Sequence, residues 1–95
     1  MLDQLTRQDF EGLAPGALTV DHPAGRFALS VVEARDLPPI SPRQLPFAIV
    51  LEGPVEPLLP QGIHALAHPV RGSLELFMVP IAHTARGSQY EVIFN

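Results

Sequence analysis

Apolar and polar residues alternate with a period of two along much of this chain, and Pro or Gly closes most of the alternating stretches. That period sends successive side chains to opposite faces of an extended strand. Six stretches qualify as strands: 17–20, 26–35, 47–52, 63–68, 74–81 and 89–94. Phe27, Leu29 and Val31 hold one phase before Val32 and Ala34 shift the apolar face, which predicts a β-bulge or a strand buried on both sides near its end. Phe47, Ile49 and Leu51 alternate again, with Ala48, Val50 and Glu52 on the opposite face. Pro80 cannot donate to a ladder, so it belongs at an edge or a bulge. Turn formers sit at 21–25, 70–72 and 86–88. The last stretch, Tyr90 to Phe94, stops one residue before the end and reads as a final strand.

One short helix is expected ahead of the strands. Thr6 and Asp9 have an acidic variant of the capping-box spacing, and Leu5 and Phe10 stand where a hydrophobic staple places them, with Leu13 following. Gly12, Pro15 and Gly16 end the element after one or two turns. A helix that short is not stable alone, so its expected role is to lid an open end of a sheet or barrel. Residues 37–46 contain Pro38, Pro39, Pro42 and Pro46, which excludes helix and interior strand and leaves a stiff crossover. A second rigid loop spans Gly53 to Pro60. No internal repeat or low-complexity tract is evident. Six short strands joined by local turns favour a mainly β fold: a small antiparallel β-barrel or two-layer sandwich, forming a single domain over residues 1–95.

Composition sharpens this picture. A chain of 95 residues buries roughly 60 to 65% of its unfolded surface, so its core is thin. The hydrophobic share is 46% and the charged share 17%. So small a body holds more apolar side chain than it usually hides, which implies a surface for a partner or for self-association. Net charge is −4, with ten acids and six basic residues that are all arginine, scattered along the chain. Nothing here attracts a phosphate backbone, so no nucleic-acid partner is expected. Without lysine there is no Schiff-base chemistry and no P-loop. Without cysteine there are no disulfides, thiolate nucleophiles or thiolate zinc sites. No leader pattern and no run approaching about 18 apolar residues is present, so a protein without a membrane span, located in the cytoplasm, is expected.

Histidine is the first place to look for chemistry. His64 and His68 have the i, i+4 spacing of a helical metal pair, but Gly62 and Pro69 confine the segment to a strand. There the two rings stand about 13 Å apart, too far for one ion. A site joining one of them to His83 and a neighbouring carboxylate is the sharper reading, and rim histidines near turns, His22 among them, are the blander one. Glu33, Glu52, Glu75 and Glu91 all fall on strands, where solvated charge is the ordinary role and a facing pair would be needed for glycosidase chemistry. Ser73 and Ser88 lack the G-x-S-x-G frame, and the glycines do not form a nucleotide fingerprint. No catalytic, cofactor-binding or metal residue is assigned.

Two features point toward contact instead. The Pro-rich crossover carries Leu37, Ile40 and Leu45 on a low-entropy segment that docks cheaply, unless it caps the protein's own core. The terminal strand carries Tyr90, Val92 and Phe94 on one face. At a sheet edge it would pair with a second copy or another protein, and inside a barrel it would be core. The expected function is therefore non-enzymatic: a self-associating adaptor or structural component, with a protein partner or homo-oligomer. The alternative is a closed barrel holding a small apolar ligand, rimmed by the helix and the Pro loops.

The segments Leu5-Thr6 with Asp9-Phe10, Leu51-Glu52-Gly53-Pro54, Leu59-Pro60-Gln61-Gly62, His68-Pro69, Leu76 to Ile81 and Tyr90 to Asn95 together resemble a family of short uncharacterised bacterial proteins. The resemblance spans nearly the whole chain. It implies an accessory role in a tail-like or surface-fibre assembly, because genes of that family often lie beside proteins with phage-tail-collar-type domains. Its motifs are structural punctuation, and it transfers no functional residue.

Overall fold

A computed structural model describes residues 5–38 and 46–94. Its strands are β1 (Leu18–His22), β2 (Gly25–Asp36), β3 (Phe47–Gly53), β4 (Gly62–His68), β5 (Gly72–Thr84) and β6 (Gly87–Phe94). They pair antiparallel and close into a barrel in the order β1-β2-β3-β6-β5-β4. Of the two architectures the pattern allowed, the closed barrel is the one that forms.

Both long strands change partners along their length. Gly25 to Leu29 of β2 pair with β1, and Ser30 to Asp36 pair with β3. Gly72 to Met78 of β5 pair with β4, and Val79 to Thr84 pair with β6. Each strand carries a register shift in its second half, between Val31 and Glu33 in β2 and between Pro80 and Ala82 in β5. A bulge adds bend and twist, which lets one strand serve two parts of a barrel wall. The phase change at Val32 and the missing N–H of Pro80 are the sequence causes, and both bulges lie where those residues placed them.

The ring of strands is symmetric in its connectivity. β1-β2-β3 and β4-β5-β6 are two meanders of the same form, and exchanging them reproduces the strand order. They meet at two seams of unequal length. β3 and β6 pair from Phe47↔Phe94 to Gly53↔Ser88, whereas β1 and β4 pair only at Thr19↔Ala67 and Val20↔Leu66.

The expected N-terminal helix is a single 3₁₀ turn, Arg7–Asp9. Its start matches the spacing: the Thr6 N–H donates to Asp9 Oδ2 at 2.8 Å. Gly12, in the left-handed region at φ 76°, then breaks the chain away before an α-helix can propagate. The turn packs onto the barrel core through Leu5 and Phe10, which are both core residues. The Phe10 ring centroid lies 5.4 Å from that of Phe94 and 6.0 Å from that of Phe47, while Phe47 and Phe94 stack at 4.4 Å. These rings join Leu18, Leu29, Ile49, Leu51, Leu66, Leu76, Met78 and Val92 in one continuous cluster that fills the barrel.

The Pro-rich crossover leaves and rejoins the wall at one place, where the Leu37 N–H donates to the Pro46 carbonyl oxygen at 2.9 Å. In the β3–β4 loop, Leu59 is buried and its N–H donates to the Tyr90 hydroxyl at 2.9 Å.

Candidate functional site

The terminal strand is not an edge. β6 lies between β3 and β5, and Tyr90, Val92 and Phe94 point into the barrel, where they are almost wholly buried. The reading of these three residues as an interface is thereby corrected, because barrel closure pairs both sides of the strand. In the crossover, Leu37 is half-buried, and Ile40 and Leu45 lie outside the described residues.

The histidines separate. His68 is buried, edge-on to Phe10 with ring centroids 5.5 Å apart. Its Nδ1 accepts the N–H groups of Val70 and Arg71, each at 3.1 Å, which leaves Nε2 to donate to the Asp9 carbonyl oxygen at 2.6 Å. His68 is thus a fastener that ties the N-terminal turn to the β4–β5 turn. Its position beside a turn was legible in the sequence, and its burial was not. Beside it, Arg71 pairs with Asp9 at 3.0 Å. Burial pushes the Asp9 carboxyl pKa up, but hydrogen bonds from Thr6 and Arg71, with the Arg71 charge, outweigh burial and leave it below the ordinary 3.8. His64 meets the Pro60 carbonyl at 2.7 Å, and His83 meets the Val55 carbonyl at 3.0 Å with Glu56 at 3.6 Å. His22 accepts the Ala24 N–H in the β1–β2 turn. Among the described residues no three of His, Asp and Glu converge to hold a metal ion.

The carboxylates lie on the outside. Glu33 and Glu91 flank Val50 from either side in the β2–β3–β6 register. Arg35 bridges them, with 2.8 Å to Glu33 and 2.7 Å to Glu91. Those bonds hold the Arg35 guanidinium above its usual pKa and keep both acids in ion pairs, an arrangement unlike a protonated and an ionised carboxyl facing a substrate. Ser88 donates to the Val55 carbonyl at 3.2 Å. A shallow groove of about 260 Å³ runs between the N-terminal turn and the β2 bulge, lined by Phe10, Glu11, Val31, Val32 and Glu33.

The most distinctive surface is one the strand pattern did not single out. Ile63 is 70% exposed, and Phe77 and Ile93 are each 51% exposed, all on outward positions of neighbouring strands. Ile63 and Phe77 are register partners. The β5–β6 pairing ends at Val79↔Glu91, so Ile63 and Phe77 form an exposed pair across β4 and β5, with Ile93 exposed on the neighbouring β6. The signal for it was present in the unbroken run Leu74 to Ile81: with only Glu75 charged, such a strand is apolar on both faces, and a barrel buries one face only.

A model of a domain of unknown function (DUF6916) matches residues 5–94, and the chain belongs to that family. No curated protein and no solved structure matches it.

Proposed function

We propose that this domain works by protein contact, as a non-enzymatic adaptor or structural component of a larger assembly, either self-associating or binding a second protein. The observation that carries this reading is the exposed pair Ile63 and Phe77 on the barrel wall, with further exposed aliphatics at Ile93, Val32, Val70 and Ile81. Contiguous apolar surface costs solvation free energy in a lone protein and is released on docking, at roughly 25 cal/mol per Å². The filled interior turns attention the same way: one continuous apolar cluster, with Phe10 seated at one end, occupies the inside of the barrel. The tail-like or surface-fibre setting comes from the family resemblance in the sequence and belongs to this proposal.

Light scattering on the purified protein, combined with affinity capture from its native cell, tests the reading. A stable oligomer or a captured protein is expected, in either case weakened by Phe77→Ser. A monomer at high concentration that captures nothing, or capture that neither Phe77→Ser nor serine at Ile63, Ile93, Val32, Val70 or Ile81 weakens, would count decisively against it.

A further inference from the structure

The hydrogen bonds of His68 fix its protonation state as well as its place. Two backbone N–H groups, those of Val70 and Arg71, point at Nδ1 from 3.1 Å, so that nitrogen offers a lone pair and Nε2 carries the proton donated to the Asp9 carbonyl oxygen. The side chain is buried against Phe10, largely cut off from the water that would solvate a charge. A second proton has only Nδ1 to occupy. There it would face two N–H donors and leave both without an acceptor.

Acid has two opposed effects at such a ring. An imidazolium would strengthen the bond from Nε2 to the Asp9 carbonyl oxygen, because a charged donor bonds more strongly than a neutral one. It would also turn both contacts at Nδ1 from attraction to repulsion and set a charge in a buried place. Two bonds lost and a charge desolvated outweigh one bond strengthened. The charged groups around the ring do not reverse this balance. Asp9 on the N-terminal turn and Arg71 on the β4–β5 turn pair with each other at 3.0 Å, so their opposite charges offset. Arg7 of that turn pairs with Glu11 and with Asp36. Across the β4–β5 ladder His68 faces Gly72, and on β1 the acid Asp21 is paired with Arg26 at 2.8 Å.

We propose that His68 is a pH-sensitive latch: neutral, it fastens the N-terminal turn to the β4–β5 turn, and protonated, it favours a released turn in which Phe10 leaves the Phe47–Phe94 stack. The latch holds while Nδ1 is free of a proton and loosens as acid fills it, in the range where an imidazole in water takes up a proton, about pH 6.5. Asp9 does not act in that range. Burial pushes its carboxyl up, but hydrogen bonds from Thr6 and Arg71 outweigh burial and keep it below the ordinary 3.8. The other three histidines bond elsewhere, His22 to the Ala24 N–H, His64 to the Pro60 carbonyl and His83 to the Val55 carbonyl. The latch is independent of the protein-contact reading above, and neither fails with the other.

Amide exchange and the imidazole nitrogen resonances of the whole chain test this at about pH 7.5 and about pH 5.5, one unit either side of that range. At the higher pH the nitrogen shifts should show His68 as the neutral ring protonated on Nε2. Protection factors, which correct for the intrinsic pH dependence of exchange, should fall by about five-fold or more at the lower pH for the amides of Phe10, Val70 and Arg71, while those of β3 and β6 hold steady. His68→Gln keeps an acceptor and a donor but takes up no proton, so it should show no such fall. The proposal is overturned if the neutral ring carries its proton on Nδ1, if protection stays level across the two pH values, or if His68→Gln loses it equally. An imidazolium that forms while the Phe10 ring keeps its contact with Phe94 would overturn it as well, and that observation needs no variant.

Discussion

His68 reaches across 59 residues of chain to the Asp9 carbonyl, and that separation explains why its role was hidden. The sequence places a histidine before Pro69 at a turn, which is all that local spacing can say. Thr6 and Asp9 lie three residues apart, so their hydrogen bond was readable directly. Asp9 also yields a prediction whose sign follows from its partners. Its folded pKa is lowered, so its contribution to stability is present above the unfolded value near 3.8 and is lost as pH falls through the folded value. In urea titrations, Asp9→Asn should be less stable than the parent at pH 7, and the gap should close below about pH 4. A gap that keeps the same size down to pH 2 would show that the carboxylate's charge is not what Thr6 and Arg71 hold.

The strands were the most legible elements, because alternation and Pro or Gly punctuation are local. Both bulges were marked by particular residues, Val32 through the phase change and Pro80 through its missing donor. The N-terminal element came out as one 3₁₀ turn, the short end of the one or two turns expected, because Gly12 ends it before a second, and the staple pair Leu5 and Phe10 reached the core as their spacing implied. The β6 face was read correctly as one apolar surface, Tyr90, Val92 and Phe94. Whether it served as edge or core depended on strand order, which alternation does not encode. Where β6 begins, Gly87 is required by contact as well as by turn geometry: a Cβ there would run into the Gly53 carbonyl oxygen of the neighbouring strand. Gly87→Ala should therefore cost about 2 kcal/mol or more, read as a lowered urea midpoint with an unchanged slope. A midpoint within a few tenths of a kcal/mol of the parent would mean that the β5–β6 turn yields easily.

At the scale of the whole molecule, the barrel is two similar meanders locked together, a repeat carried by connectivity and absent from the residues themselves. Hydrophobic patterning could count the strands and fill the core. It could not say that each long strand would change partners along its length within its own meander, nor that the outer wall would keep Ile63 and Phe77 exposed side by side. The two seams joining the meanders are unequal, with seven register pairs between β3 and β6 and two between β1 and β4. A cylinder fastened by so few rungs on one side breathes there first. In heavy water, the amides of β1 should take up deuterium at least about ten-fold faster than those of β3, and uniform protection around the ring would refute this. The wall between β1 and β4 is then the door through which the interior first meets solvent, and the place where a stabilising cross-strand pair would slow the entry of water most.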